Sequence, residues 1–460
     1  MRARTLRCLS AGWYVHVPRR QVKVYSELFS RGCCHFSLTG RFAENHNYSR
    51  TVEALRLFRD LNRVQRHTFL ACFLGWTLDA FDFFLLTFVI APMARDFGTS
   101  IAELSYAITV TLAMRPVGAF VFGLLGDRFG RRVPLMADIV FYSAMELLTA
   151  FSPNYTWLLI FRALYGIGMG GEWGLGASLA MECLPTQSRG LFSGILQQGY
   201  MFGYLFAALI YGIVFPRFGW RALFVVGALP ALLVIYIRAR VPESPVWLRQ
   251  RPSANFWASL GEVLKRHWLL LVYVILLMTA FNAMSHGTQD LYQTFLGEQR
   301  GFKVETKSVI GIIYAVGAIC GGVLIGHWSQ KFGRRRLIIA TAIGGIVVIP
   351  AWVFAPTLPV LVGGGFLMQF MVQGAWGIVP VHLNELSPPE VRGTFPGFAY
   401  QLGNLFAANT AVIEARLAER FQSAQGHPDY AKALALFALV IFLTLIFLAA
   451  IGREERGKEF

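Results

Sequence analysis

Apolar runs long enough to cross a bilayer recur along the chain, and no other feature restricts its fold as much. Crossing about 30 Å of hydrocarbon takes about 20 helical residues. Within that layer each backbone N–H and C=O must be satisfied inside a helix or a closed barrel. Twelve runs qualify: residues 68–92 (span 1), 104–125 (2), 134–152 (3), 156–180 (4), 190–214 (5), 220–240 (6), 267–295 (7), 308–328 (8), 336–355 (9), 358–382 (10), 394–416 (11) and 433–452 (12). Hydrophobic residues make up 55% of the 460 positions and charged residues 15%, too little polar surface for a soluble chain of this length. An all-α integral membrane protein with 12 transmembrane helices is therefore expected.

The formal charge of +16 would suit a nucleic-acid partner, but its distribution argues for a lipid bilayer and no nucleic acid. Basic residues gather in alternate short loops: Arg128, Arg131 and Arg132 after span 2, Arg189 after span 4, and six residues from Arg238 to Arg266 after span 6. Lys331 and Arg334–Arg336 follow span 8, Arg392 follows span 10, and Arg453, Arg456 and Lys458 follow span 12. The positive-inside rule then predicts a multi-pass protein of the plasma membrane (the inner membrane in a Gram-negative cell) with both termini cytoplasmic. Basic residues at 300–307 and 416–432 are exceptions. The six cysteines show no CxxC spacing, so neither a disulfide framework nor a metal site is indicated. Residues 1–65 hold no spanning run and read as a cytoplasmic extension. Its positions 1–45 are expected to lack order, and 48–66 suit a basic amphipathic helix.

The chain is also duplicated. Gly123-x-x-x-Asp127-Arg128-Phe129-Gly130-Arg131-Arg132 after span 2 recurs 203 residues later as Gly326-x-x-x-Gln330-Lys331-Phe332-Gly333-Arg334-Arg335. The same offset relates Glu182…Arg189-Gly190 to Glu385…Arg392-Gly393, Trp173 to Trp376, and Gln198 to Gln401. One register held through loops and helices marks two pseudo-symmetric six-helix halves: 66–240 and 267–452, joined by a cytoplasmic linker loop at 241–266 and followed by a tail at 453–460. Parallel halves of this kind bind substrate between them near the bilayer midplane and alternate access by rocking. The repeated basic loop is expected to form a gate, with Asp127, Arg128, Arg131, Lys331 and Arg334 making or breaking contacts between the halves.

Ionisable residues at bilayer depth are costly and by default mark a pathway, a relay or a buried pair. Asp79 and Asp82 share one face of span 1 at i, i+3 spacing. Arg115 lies in span 2, Asp138 and Glu146 in span 3, Arg162 and Glu172 in span 4. Pairing with Arg115 or Arg162 is expected for Asp138 and Glu146, whereas Asp79, Asp82 and Glu172 are candidates to carry protons. Glycines 166, 168 and 170 after Arg162 invite close approach of another helix. At offset 203, Asp79 and Asp82 become Asn282 and Ser285, and Glu172 becomes Ala375. Proton coupling is accordingly expected mainly in the first half.

Span 7 answers with polar groups. At about 100° per residue, Asn282, Ser285, His286, Gln289 and Gln293 fall on one face, with Asp290 at its margin. Such a face suits a helix lining a central cavity, where imidazole and amide donors can meet an anion.

The string Asn282-x-x-Ser285-His286-x-Thr288-Gln289-Asp290-x-x-x-Thr294 resembles the signature of the lactate permease group, within the sialate–proton symporter family of the major facilitator superfamily. Trp76-x-x-Asp79-x-x-Asp82 and Pro242-Glu243-Ser244-Pro245-x-Trp247-Leu248 fit that wider family, and the likeness runs over residues 68–452. The resemblance implies a secondary transporter with the major facilitator fold, no catalytic chemistry and no cofactor. It implies proton-coupled symport of a small carboxylate such as lactate or pyruvate by a functional monomer. Substrate contacts would come from Asn282, Ser285, His286 and Gln289, with Arg115 or Arg162 compensating charge. Proton coupling would involve Asp79, Asp82, Glu172, His286 and Asp290. A sialic-acid, sugar or other organic-acid porter, or a non-transporting nutrient sensor, are the alternatives.

Overall fold

The computed structural model describes residues 4–7, 14–17, 56–249, 256–422 and 428–460. Residues up to Phe58 form one unit and Arg59–Phe460 a second. In the first unit, β1 (Arg4–Arg7) and β2 (Tyr14–Val17) pair antiparallel, from Arg4 opposite Val17 to Arg7 opposite Tyr14. The expected lack of order over 1–45 falls otherwise outside the described residues. Of the expected amphipathic helix over 48–66, positions 48–55 are likewise outside, and 56–60 are helical.

The second unit begins at a capping box. The Asn62 side chain accepts from the Gln65 N–H at 2.9 Å while the Asn62 N–H donates to Gln65 Oε1 at 3.0 Å. Two otherwise orphaned donors at the helix start are thereby satisfied. From there α1 (Arg63–Phe97), α2 (Ile101–Phe129), α3 (Arg132–Ala150) and α4 (Tyr155–Cys183) are spans 1 to 4. Spans 5 and 6 comprise α5 (Arg189–Gln197), α6 (Gly199–Val226) and α7 (Ala231–Arg240). The boundary between them is Gly219 inside α6, with φ 73° and ψ −175°, a backbone setting reserved in practice for glycine.

After the short α8 (Pro245–Arg249), span 7 lies in α9 (Phe256–Gln289), which departs from helical geometry at His267. The segment expected as a linker loop is thus partly helical. The single turn α10 (Tyr292–Thr294) and a π-helical turn (Phe295–Gln299) finish span 7. Spans 8 and 9 are α11 (Val304–Phe332) and α12 (Arg334–Val353). Span 10 is α13 (Leu358–Trp376) with α14 (Val379–Leu386), and span 11 is α15 (Phe395–Ala407) with α16 (Thr410–Arg420). Span 12 is α17 (Tyr430–Ile451). Among the described residues, nine helical segments meet length and hydropathy requirements for crossing a membrane, one of them Arg189–Arg240. That segment turns at Gly219 and crosses twice, and α4 and the α15–α16 pair complete the twelve passes.

Within the first half α2 packs on α4, α1 on α6 and α3 on α4. Within the second α11 packs on α13, α12 on α17 and α9 on α15. Hydrocarbon offers helices little hydrophobic incentive to associate, so small residues and close backbone approach do much of the work. Gly166 and Gly170 of α4 lie against the backbone carbonyls of Thr111 and Arg115 in α2, where a Cβ would collide. Between the halves, α2 packs on α15 and α5 on α11, which are spans 2 with 11 and 5 with 8. Offset 203 interchanges these two contacts.

The repeated loop also folds twice in the same way. Gly130 has φ 96°, ψ 163° and Gly333 has φ 101°, ψ 152°. The following amides are held by a carboxylate each time. Arg131 N and Arg132 N donate to Glu243 at 2.7 and 3.1 Å, and Arg334 N and Arg335 N to Glu454 at 3.1 and 3.0 Å. Arg131 pairs with Glu182 at 3.1 Å and Arg334 with Glu385 at 3.0 Å. Each half therefore ties its own end, just past span 6 or span 12, to its loop after span 2 or span 8.

Candidate functional site

Asp79 and Asp82 are fully buried in span 1, and none of their four carboxyl oxygens has a hydrogen-bond partner among the described residues. Nearby, Arg162 is spent on Glu146 of span 3: Nη1 donates to Oε2 at 2.7 Å, with neither side chain exposed. The Arg162 guanidinium lies 4.0 Å from the centre of the Tyr165 ring, a cation–π placement that offsets its desolvation. Tyr165 in turn donates to the backbone carbonyl of Asp79 at 3.2 Å. The pairing expected of Asp138 does not form. Its carboxyl is buried without a donor, as is that of Glu172, because one of the two interior arginines is already engaged in α4 and the other points elsewhere.

That other arginine is Arg115 of span 2. It is 4% exposed, and its guanidinium carbon stands 5.9 Å from the Tyr400 ring centre in span 11. Its Nε and Nη2 have no acceptor. Arg115 acts electrostatically on Asp79 in its own half and on His286 in the other. It is therefore within electrostatic reach of ionisable groups in both halves.

In the second half, the span 7 signature divides between two neighbours. His286 Nδ1 lies 3.1 Å from Asp290 Oδ2, one turn on, and its Nε2 lies 3.2 Å from Asn404 Oδ1 in span 11. The His286 and Asp290 side chains are 36% and 38% exposed, so this pair can be reached by solute. Gln289 Nε2 instead donates to Ser285 Oγ at 3.0 Å and to Gln369 Oε1 of span 10 at 3.2 Å. Asn282 spends its amide on the Met278 carbonyl at 2.8 Å. Thr288 is buried, donates to Met284 O at 2.9 Å, and lends its own carbonyl to the Tyr314 hydroxyl. Gln293 and Thr294 lie beyond the end of α9, after a turn at Asp290 and Leu291. One polar helix face thus serves both an open His–Asp pair and a packed amide network.

Of the residues expected to gate, Asp127 and Arg131 sit where the halves meet, on the face carrying the basic loops. Asp127 accepts from the Gly393 amide at 2.6 Å, the Thr394 amide at 3.0 Å and the Thr394 hydroxyl at 2.6 Å, at the start of span 11. Arg131 Nη1 braces the same carboxylate at 2.8 Å. Ser178 donates to Arg392 O at 2.7 Å and Ser193 to Gly377 O at 2.7 Å, two further bonds between halves. The halves are closed against each other on this face. Burial pushes the Arg392 guanidinium below its ordinary value, with Glu182 opposing. Arg128 and Lys331 are exposed and lie over the rings of Phe129 and Phe332 at 5.2 and 5.6 Å. Arg334, at the position equivalent to Arg131, binds Gln330 Oε1 at 2.7 Å in its own half.

Several buried or bridging polar residues lie outside the set expected to form the site. Asn404 and Gln369 hold the signature from spans 11 and 10. Gln198 and Gln401, related by offset 203, are both buried with amides unpartnered. Glu414 in α16 is buried and unpartnered as well. Thr410, Glu414 and Ala418 form its buried stripe at i, i+4, i+8, a signal masked by the basic residues that follow Glu414.

Comparison with known proteins agrees with this architecture. The model of the Major Facilitator Superfamily matches residues 72–408 and 275–460. The "Carboxylic acid transporter protein homolog" of Saccharomyces cerevisiae is 31% identical over 446 residues, covering 90% of this chain and 72% of the relative. The "Probable 4-methylmuconolactone transporter" of Cupriavidus pinatubonensis is 31% identical over 401 residues, covering 85% and 91%. Among solved structures, the proton:xylose symporter XylE superposes with a TM-score of 0.70 at 19% identity, covering 86% of this chain and 97% of XylE. With the duplicated twelve-pass architecture, these matches establish that the chain belongs to the Major Facilitator Superfamily and is a multi-pass membrane transporter, not an enzyme.

Proposed function

We propose that this transporter carries a small organic acid, of the lactate or pyruvate kind, together with a proton. The observation that carries the reading is Arg115, an interior cation with free donors whose guanidinium stands 5.9 Å from the Tyr400 ring of the other half and which acts electrostatically on both Asp79 and His286. A carboxylate anion gains charge-assisted hydrogen bonds from the free donors of Arg115, and one from His286 by displacing Asn404 from Nε2. The donor-free carboxyls of Asp79 and Asp82 supply the proton store, since burying an ionised carboxylate without a partner costs far more than burying its acid. Glu172, also without a donor, extends that store. Asn282, Ser285 and Gln289 keep the signature helix in register and border the anion. The names of the two curated relatives, both for transporters of carboxylic acids or a lactone derived from one, support the substrate class.

The basic-loop face is assigned to the cytoplasm, with both termini there, in the plasma membrane, and one copy is the working unit. Residues 66–240 and 267–452 then rock about the central site. With the Asp127–Gly393/Thr394 contacts made, the described state is closed to the cytoplasm. Loading with one anion and one proton leaves the site nearly neutral, which lowers the cost of occluding it. Opening breaks the Asp127 contacts, and the higher cytoplasmic pH draws the proton away and releases the anion.

Replacing His286 with Ala tests the reading. A charge-assisted hydrogen bond contributes about 1.5–3 kcal/mol, so labelled lactate uptake in proteoliposomes should fall about tenfold or more at subsaturating substrate. Competition by pyruvate and other short carboxylates, and none by xylose or sialic acid, is expected for the unaltered protein. Wild-type uptake by the variant, or competition by the sugars alone, would set the reading aside.

A further inference from the structure

We propose that Glu414 is a second proton-binding site, paired with Asp290 and lying in the opposite half from Asp79 and Asp82. Glu414 belongs to α16, the second segment of span 11, and is the one ionisable residue of its buried stripe with Thr410 and Ala418. It has no exposed surface, and neither carboxyl oxygen has a hydrogen-bond donor. The carboxyl lies against the backbone of the signature helix: a Cβ built on Gly287, between His286 and Thr288, would stand 3.2 Å from Glu414 Oε1. The same Cβ would collide with the Phe437 ring of span 12, so span 12 closes the space with an apolar group.

The polar groups facing Glu414 can be named element by element. From span 7 comes Asp290, within electrostatic reach and itself bonded to His286. From span 8 comes Tyr314, whose hydroxyl is committed to the Thr288 carbonyl. Among the described residues no cation forms an ion pair with Glu414. An ionised carboxylate in that setting has neither donor nor counter-ion, and the less costly species is the acid. The second carboxylate within reach, that of Asp290, raises the cost of ionising Glu414 further. Asp290 is open to solute and Glu414 is not. Asp290 is thus the port through which a proton arrives, and Glu414 the place where it is kept. Only the proton moves, from water to a carboxylate oxygen, with no other bond made or broken.

The consequence is that buried proton storage extends to the second half, beside the signature helix, rather than resting with the carboxyls of spans 1 and 4. Its role in coupling rests on the proposed symport, whereas the proton site itself does not. The test uses the full-length protein in proteoliposomes and compares it with Glu414→Gln, which removes the charge and little volume. Infrared titration should show a carbonyl stretch of a protonated carboxylic acid that Glu414→Gln lacks and Glu414→Asp restores. In Asp290→Asn, removal of the neighbouring charge should make that band disappear at a lower pH. Labelled lactate exchange at equal pH should persist in Glu414→Gln, while accumulation driven by a pH gradient falls to the level of liposomes without protein. An infrared band unchanged in Glu414→Gln would overturn the proposal, as would full gradient-driven accumulation by that variant. Loss of the band in a protein that never transports lactate would retain the proton site and reject the symport reading.

Discussion

Arg162 and Glu146 form a fully buried ion pair inside the first half, at 2.7 Å with neither side chain exposed. Removing one partner of such a pair leaves an uncompensated buried charge, at about 3–5 kcal/mol. Arg162→Ala should therefore lower the thermal midpoint of the detergent-solubilised protein sharply. Arg162→Met combined with Glu146→Gln should recover most of the loss, and equal midpoints for the single and double variants would contradict the pairing. At this scale the sequence was partly legible. Depth in an apolar run singled out Asp79, Asp82, Glu146 and Arg162 as residues needing an explanation, because hydrocarbon penalises charge wherever it falls. Which carboxylate an arginine takes is a matter of helix rotation. That is why Asp138 read as a member of a bridge and is in fact without a donor. Glu414 falls inside the expected span 11, but Arg416 and Arg420 just after it blur the apolar pattern that would mark it as buried.

Among the elements, the loop after span 2 and the start of span 11 join the halves on one face, the gate of the proposed cycle. Three donors from Gly393 and Thr394 converge on Asp127, each a charge-assisted bond of about 1.5–3 kcal/mol. Asp127→Asn weakens all three and strips Arg131 of one partner. Spin labels placed on the loops after spans 2 and 10 should then report a longer separation. The open population should rise about tenfold or more, given 1.4 kcal/mol per decade. An unchanged distance distribution would show that the gate is held elsewhere. The loop motif and offset 203 were readable because a turn at φ near 100° demands glycine in both copies and the arginine after it demands a carboxylate. The anchoring glutamates were not, since Glu243 and Glu454 differ by 211 residues rather than 203. The breaks at Gly377–Ile378 and Ala408–Asn409 within spans 10 and 11 were also silent.

The helical unit is a duplication whose copies agree in the fold of the basic loop and diverge at the centre. Equivalent contacts join span 2 to span 11 and span 5 to span 8, as a rocking pair of halves requires. The interior carboxylates of spans 1, 3 and 4 have no counterparts at offset 203, and the second half offers His286, Asp290 and Glu414 instead. Apolar periodicity and repeat register carried the fold, because both are written along the chain. Neither could show Arg115 reaching from one half toward the other, which depends on assembly of the two. Lactate uptake into proteoliposomes, with the pH outside set below that inside, tests the account at this scale. Accumulation above the external concentration that grows with the gradient and collapses when a protonophore dissipates it is the predicted result. Uptake that is the same with and without the gradient would contradict proton coupling.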